Sequence, residues 1–183
     1  MKSLIITWEN FQDQELVYPY YRLREEAEGP EDVVVMSNVV GKFYGIMGSN
    51  MESHVLVSGL DDPILYKNYL SDYDLLVIPG GVKALEKLRQ ERKVVEFIKD
   101  WGERGKVIAS TCHGAQLLIS SGLIKGRKVS GYYSIEDDIN NAGAIYVNEP
   151  VVIDVNIVSS PHYNWMGEWM AAAIECVKNA SNR

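Results

Sequence analysis

The stretch from Val107 to Gly122, VIASTCHGAQLLISSG, places a cysteine and a histidine between two different structural patterns. Its first part is apolar and β-branched, which is typical of a buried strand, and its second part is an apolar run that ends at a glycine, as many helices do. Cys112 and His113 lie between the two parts, with no room for a loop. We therefore predict a sharp strand-to-helix turn that presents the Cys112 sulfur as a nucleophile.

Most cysteines are small buried hydrophobic residues, and composition alone would favour that interpretation of Cys112. Its place on the turn, with His113 beside it, favours the nucleophile instead. The unpaired N–H groups and the positive end of the following helix favour a thiolate over a thiol. We therefore expect the turn to lower the pKa of the Cys112 thiol.

Two further features are predicted at the same edge of the sheet, where the carboxyl ends of parallel strands meet and ligands bind. A buried strand at 74–78 runs into Pro79-Gly80-Gly81, and the N–H groups of Gly81 and His113 could form an oxyanion hole, although a plain tight turn is the alternative. Glu15 lies on the first turn of the first helix. A protonated carboxyl there could hydrogen-bond the sulfur or tune its ionisation, but a carboxylate that only stabilises the helix start is equally consistent.

Strand and helix patterns alternate along the chain, which predicts one α/β domain over residues 1–183 with a doubly wound, mostly parallel sheet and helices on both faces. A small hairpin is expected within 38–50, and the helix at 134–141 is expected to begin with a serine N-cap. The predicted strands are 2–8, 32–37, 54–57, 74–78, the strand before Cys112, 128–131, 145–147, 151–155 and 157–159, and the predicted helices are 14–26, 61–70, 91–103, the helix after Cys112, 134–141 and 165–178.

Composition narrows the classes of function. The chain has 183 residues, of which 46% are hydrophobic and 23% charged, and its net charge of −7 argues against nucleic acid as a partner. The apolar N-terminal run is too short for a signal sequence or a membrane span, and no membrane partner is expected. Cys112 and Cys176 are not expected to pair, which fits a reducing cytoplasm. Three widely separated histidines make a metal site improbable, and no cofactor is expected.

Four segments together resemble the ThiJ/PfpI superfamily, which contains the PfpI-type intracellular proteases and the Parkinson-associated deglycase. They are TCHGAQLL around Cys112, VIPGG at 77–81, FQDQELVYPYYRLREE at 11–26 and YYSIEDDINNAGA at 132–144. The match covers nearly the whole chain in order, and the histidine directly after the cysteine indicates the PfpI branch. The resemblance implies a flavodoxin-like fold and a homodimer or higher homo-oligomer, up to a hexamer.

The resemblance also implies roles for residues outside the turn. Glu86 matches, with one inserted residue, a glutamate of the family that reaches the histidine from a neighbouring subunit. Glu15 matches the glutamate beside the nucleophile, and Tyr132 matches a tyrosine that lines the pocket.

This chain departs from the family pattern at three places. Gln12 replaces an acidic residue, and Ala115 stands where the family usually has proline. The segment 160–165, SPHYNW, lacks the usual arginine, proline and aspartate and offers His162 as a second histidine near the site, although a surface-loop histidine is the more common case.

Together these observations predict a cysteine-dependent enzyme. One form is a PfpI-type hydrolase of peptide or amide bonds, and the other is a glyoxalase or deglycase that acts on small reactive carbonyls. The sequence does not choose between a small-molecule and a peptide substrate. The alternative is a non-catalytic redox-sensing stress protein or chaperone in which Cys112 is oxidised.

Overall fold

The computed structural model of the protein describes residues 1–181 and consists of a seven-stranded sheet with helices on both faces. The predicted domain runs to residue 183, so its last two residues lie outside the described range. The strands are β1 (Ser3–Ile6), β2 (Val33–Ser37), β3 (Gly41–Tyr44), β4 (Asn50–Ser53), β5 (Val55–Leu56), β6 (Leu75–Ile78), β7 (Val107–Thr111), β8 (Lys128–Val129), β9 (Ile145–Tyr146), β10 (Val152–Asp154) and β11 (Ile157–Ser160). The α-helices are α1 (Asp13–Arg24), α2 (Pro63–Asp72), α3 (Val82–Leu88), α4 (Arg92–Glu103), α5 (Ala115–Ser121), α6 (Glu136–Asn141) and α7 (Met166–Ser181).

The main sheet has the order β10-β11-β7-β6-β1-β2-β5, and every neighbouring pair is parallel except β10 with β11. The predicted doubly wound α/β fold is therefore confirmed. The hairpin expected within 38–50 is present as the antiparallel pair β3 and β4, but its second strand extends to Ser53. The strands β8 and β9 form a separate parallel pair beside the main sheet.

Continuous apolar runs form the central strands because both faces of the sheet are covered. Along β1, Leu4 and Ile6 face a core that contains Phe97 and Trp101 of α4, whereas Ile5 faces a core that contains Trp169 of α7. The sheet is thus held from both sides, and the residues that follow β1, β6 and β7 are fixed at its carboxyl edge.

One prediction about a helix start was wrong, and one helix was missed. Ser134 does not cap α6, because a 3-10 turn over Tyr133–Ile135 precedes the helix and no side chain caps it. The helix α3 was missed because Gly80-Gly81 was interpreted only as an oxyanion hole or a tight turn, and no helix was predicted directly after it. The spacing of Ala84, Leu85 and Leu88, all buried, was the available signal for it.

One residue with a strained backbone, Val155, lies in the two-residue turn between β10 and β11, far from Cys112. Val155 has φ of 54° and is 81% exposed. A β-branched residue in this left-handed region is strained, and two-residue turns that need one such residue usually place glycine there.

We expect Val155→Gly to raise the free energy of unfolding by about 0.5–1 kcal/mol, because relief of a left-handed backbone exceeds the entropy that glycine adds to the unfolded chain. Urea denaturation measures this as a higher midpoint at an unchanged slope. The matched control, Ile153→Gly on the adjacent strand, should lower the midpoint, since Ile153 has no positive φ to relieve. An equal decrease of the urea midpoint in both variants would show that the backbone at Val155 is not strained.

Candidate active site

Cys112 lies directly after β7 with φ of 55°, in the left-handed region that non-glycine residues rarely adopt. It begins a 3-10 turn over Cys112–Gly114 that leads without a break into α5, and Gly122 ends that helix in a left-handed conformation. Close packing leaves room only for glycine at position 114, where a Cβ atom would lie 2.5 Å from the backbone carbonyl oxygen of Ile78. The structure therefore places Cys112 on the sharp turn that its sequence context predicts, with the residue 7% exposed.

Glu15 is fully buried beside this turn. Its Oε2 atom accepts a hydrogen bond of 2.8 Å from the Gly80 N–H group, and the Cys112 thiol lies within hydrogen-bonding reach of the carboxyl. Burial raises the pKa of Glu15 to about 8, although both of these contacts oppose the rise. The carboxyl is therefore mostly protonated at neutral pH, which is the state in which it can donate a hydrogen bond to sulfur.

The expected lowering of the thiol pKa was wrong. Burial and the neighbouring Glu15 carboxyl raise the pKa of Cys112. The N–H groups of His113 and Gly81 act in the expected direction, since both hydrogen-bond the sulfur and lower its pKa, but their effect is smaller. Cys112 and Glu15 are therefore a coupled pair of buried acids, in which Glu15 loses its proton at lower pH than the thiol and its charge then opposes the thiolate.

The glycine pair is required by the packing between β6 and the start of α1. Gly81 has φ of 112°, and a Cβ atom on it would lie 2.8 Å from the carbonyl oxygen of Asn10. The Gly80 carbonyl accepts a hydrogen bond of 3.1 Å from Gln12 N–H, while its own N–H binds Glu15. The backbone at Gly80 and Gly81 thus connects the carboxyl to the sulfur and directs one N–H group at each.

His113 contacts the sulfur with its ring, since the distance from Nδ1 to Cys112 Sγ is 3.3 Å. Burial lowers the pKa of His113, so the ring is neutral at physiological pH. Within residues 1–181, Nε2 of His113 makes no hydrogen bond. Glu86 is exposed on α3, and its carboxylate does not reach His113 in the same chain.

A cleft of about 260 Å³ opens over the sulfur. Of the residues predicted for the site, Glu15, Gly81, Cys112, His113, Tyr132 and His162 line it, whereas Gly80 lies behind Glu15 and Glu86 lies elsewhere. Sequence reasoning missed Ile46, Val82 and Tyr163, which also line the cleft, and named Gln12 only as a departure from the family. Ile46 and Val82 are about half exposed, so they place apolar surface at the mouth of the cleft.

Asp13, which sequence reasoning also missed, holds the loop that carries Ile46. Its two carboxylate oxygens accept hydrogen bonds of 2.7 Å from the N–H groups of Met47 and Ser49, and the carboxylate is almost fully buried. Gly45 is required by this contact, because a Cβ atom there would lie 2.6 Å from the Asp13 carboxyl. The available signal was an aspartate in the first turn of α1 followed by a glycine-rich hairpin.

Aromatic rings continue along one side of the cleft. The ring centroids of His113 and Tyr132 are 5.0 Å apart, those of Tyr132 and His162 are 5.9 Å apart, and those of His162 and Tyr163 are 3.8 Å apart. His162 is half-buried and lines the cleft. It therefore belongs to the surroundings of the nucleophile rather than to a remote surface loop.

Other sites are less suited to chemistry. Among residues 1–181, no cluster of three His, Cys, Asp or Glu side chains is arranged to hold a metal ion. A larger groove of about 580 Å³ between α1 and the loop at Met47 is lined by neither cysteine nor histidine within residues 1–181.

No helix in the described part of the chain has the length and apolar character needed to cross a membrane.

Comparison with known proteins agrees with this geometry. The model of the DJ-1/PfpI family matches residues 1–176. The chain belongs to the DJ-1/PfpI family. It is 40% identical to a deglycase of Thermococcus kodakarensis over 93% of this chain and 98% of that protein, and 36% identical to the deglycase PfpI of Pyrococcus furiosus over 97% and 100%.

Two further DJ-1/PfpI proteins extend the comparison. A Bacillus subtilis protein named as a candidate cysteine protease is 34% identical over 87% of this chain and 88% of its own length. The solved structure of Schizosaccharomyces pombe DJ-1 superposes with a TM-score of 0.83 at 19% identity, covering 96% of this chain and 90% of that one. The predicted family, its PfpI branch and the predicted class of function, deglycase or cysteine protease, are confirmed.

Coupling between Glu15 and Cys112 predicts the pH dependence of thiol reactivity. Burial raises the pKa of both groups, and the charge that Glu15 acquires near pH 8 raises the pKa of the thiol further. The rate of Cys112 alkylation by iodoacetamide should therefore rise less steeply with pH above about 8 than below it. Glu15→Gln should remove this break and raise the rate at pH 9 about threefold or more, because the carboxylate that opposes the thiolate is gone.

The measurement is the rate of Cys112 alkylation, followed by mass spectrometry in a Cys176→Ser background. Glu25→Gln, an exposed substitution at the opposite end of α1, is the matched control and should leave the profile unchanged. A break in the profile near pH 8 that persists in Glu15→Gln would show that another group is responsible.

Proposed function

We propose that this protein is a cysteine-dependent deglycase that converts small α-oxoaldehydes, free or as adducts with amines, into α-hydroxy acids. The observation that carries the proposal is the coupled Cys112–Glu15 pair at the base of a cleft of about 260 Å³. A nucleophile and a proton-carrying carboxyl at the same reacting atoms are the two groups that this isomerisation needs.

The reactive state of the pair has its single negative charge on sulfur and its proton on Glu15. The N–H groups of His113 and Gly81 stabilise that thiolate in the free enzyme. His113 is neutral, and its Nδ1 at 3.3 Å provides a second path for the thiol proton. The thiolate attacks the aldehyde carbon, and the negative charge moves from sulfur to the aldehyde oxygen.

The same two N–H groups are placed to hold the new oxyanion as it forms beside the sulfur. The oxyanion takes the proton of Glu15, which gives a neutral hemithioacetal and a Glu15 carboxylate. That carboxylate removes the hydrogen of the former aldehyde carbon as a proton and returns it to the neighbouring carbonyl carbon, while the hydroxyl proton on the former aldehyde oxygen passes to the neighbouring oxygen. The aldehyde carbon is thereby oxidised to a thioester while the ketone carbon is reduced to an alcohol, so no external oxidant or reductant is needed.

Water then hydrolyses the thioester, which frees the Cys112 thiol and an α-hydroxy acid. The sum is one α-oxoaldehyde and one water converted into one α-hydroxy acid. An amine adduct follows the same route, because such an adduct is the amine and the aldehyde joined reversibly. The cleft volume favours these small substrates over a folded polypeptide chain.

Peptide or amide hydrolysis is the second candidate, and the contact between His113 and the sulfur favours it, because a cysteine–histidine pair also serves acyl transfer. The family supports both candidates, since relatives include deglycases and a candidate cysteine protease.

Cys112 and Cys176 are free thiols, and a reducing cytoplasmic location is part of this proposal.

We also propose that the active form is a homo-oligomer in which Glu86 of a neighbouring subunit orients His113. Two features support this. Glu86 is exposed on α3, and Nε2 of His113 has no hydrogen-bond partner within residues 1–181. A carboxylate from a second copy could accept a hydrogen bond from Nε2 of His113 without any rearrangement of the chain that carries the histidine.

Cys112→Ser should lower the kcat/KM for methylglyoxal by about a thousandfold or more, because the serine hydroxyl is a far weaker nucleophile at neutral pH. Lactate formation, measured with the purified protein, is the readout, and Cys176→Ser is the matched control that should keep full activity. A wild-type protein that makes no lactate but gains oxygen on Cys112 under mild peroxide would contradict the proposal and favour the redox sensor.

Subunit complementation tests the role of Glu86. Glu86→Ala and Cys112→Ala should each be inactive alone, but a mixture exchanged through mild denaturation should regain partial activity, because some sites then receive both native residues. Glu168→Ala, an exposed glutamate on α7, is the control and should stay active. A fully active Glu86→Ala variant would refute the role of Glu86 without affecting that of Cys112.

A further inference from the structure

One side of the cleft is an aromatic wall, made of Tyr132, His162 and Tyr163. Successive ring centroids in it are 5.9 Å and 3.8 Å apart, and the rings of Tyr132 and His162 are nearly parallel, with an interplanar angle of 24°. The wall draws on two separate segments, the one after β8 and the one after β11. Tyr163 is 38% exposed, so a large apolar face remains free at the mouth of the cleft.

Backbone contacts fix the aromatic wall relative to the nucleophile. The Tyr132 N–H group donates a hydrogen bond of 3.1 Å to the carbonyl oxygen of Cys112 itself. Nδ1 of His162 accepts from the Asn164 N–H group, and the His162 carbonyl accepts from Trp165 N–H. The rings are therefore held in place before a substrate enters, so little conformational entropy is lost when a flat group stacks on them.

Within the part of the chain that the structure describes, the cleft carries no positive charge. Its lining there contains neither lysine nor arginine, and its other large side chains are the apolar Ile46 and Val82 and the uncharged Gln12. Burial lowers the pKa of both His113 and His162, so both rings are neutral at physiological pH, and Glu15 is mostly protonated. A carboxylate on the substrate would lose its hydration here without gaining an ion pair.

A flat, uncharged group is what such a surface binds best, since aromatic rings gain from stacking as well as from burial. We propose that the aromatic wall binds the substituent of the substrate and selects uncharged α-oxoaldehydes that carry a planar aryl group over small alkyl and anionic ones, a preference that rests on the proposed function of the site. The wall contributes specificity, while the chemical steps stay with Cys112 and Glu15.

The first test compares kcat/KM for three α-oxoaldehydes: phenylglyoxal, methylglyoxal and the anionic 4,5-dioxopentanoate. Tyr163→Leu should lower the value for phenylglyoxal about three- to tenfold, the usual contribution of one aromatic contact, and change that for methylglyoxal less than about twofold. Tyr163→Phe should keep the phenylglyoxal rate, because it keeps the ring. Tyr21→Leu, an exposed tyrosine outside the cleft, is the matched control and should change neither rate.

The carboxylate-bearing 4,5-dioxopentanoate should be the poorest of the three substrates for the wild-type protein by about a hundredfold or more, since its carboxylate has no cation to pair with. A Tyr163→Leu variant whose kcat/KM falls equally for phenylglyoxal and methylglyoxal would overturn the proposal. Turnover of 4,5-dioxopentanoate as fast as that of methylglyoxal would overturn it as well.

The second test needs no turnover. Acetophenone carries the aryl ketone but no aldehyde, and its dissociation constant for the Cys112→Ser protein should be about three- to tenfold lower than for the Cys112→Ser, Tyr163→Leu protein, measured by ligand-observed NMR. Equal dissociation constants would show that the aromatic wall does not bind the aryl group. A wild-type protein that consumes none of the aldehydes refutes the proposed function instead, and acetophenone binding then still tests whether the wall binds an aryl group.

Discussion

The hydrogen bond between the Gly80 N–H group and the buried Glu15 carboxyl is the contact on which the active edge of this protein depends. It joins the start of α1 to the end of β6, and Cys112 at the end of β7 closes the arrangement from the other side. Strands packed on both faces bring these three segments together. A carboxyl at this place has lost its water, so it keeps its proton, and that retained proton is what links the carboxyl to the sulfur.

Burial, rather than helix geometry, therefore determines the ionisation of the nucleophile. The backbone N–H groups of His113 and Gly81 favour the thiolate, but removal of water from the thiol and the presence of a second acid outweigh them. The result is a pair of weak acids in contact with each other, in place of a thiolate formed permanently by its turn. Such a pair can supply a nucleophile and a proton from the same few atoms, which suits a reaction in which a hydrogen moves between two adjacent carbons.

The sequence predicted those parts of the molecule that local pattern controls. The strands of the sheet, the sharp turn at Cys112 and the convergence of Glu15 and Gly81 follow from apolar runs, glycines and the rule that parallel strands end at one edge. Residues contributed by tertiary packing were missed, as shown by Ile46, which a loop tied to Asp13 brings to the cleft, and by Tyr163, which enters from the far end of the chain. The error in the thiol pKa has the same origin, because burial at Cys112 depends on the whole fold.

The cleft walls are held by backbone hydrogen bonds, and this determines how the protein can change over evolutionary time. Tyr132 is attached to the nucleophile through the backbone, and the loop with Ile46 is attached through backbone N–H groups to Asp13, two residues before Glu15. Neither attachment uses the side chain that faces the cleft. Those side chains can therefore be exchanged by single mutations while the reacting groups stay where they are, so that one inherited chemistry can be redirected to new substrates without rebuilding the fold.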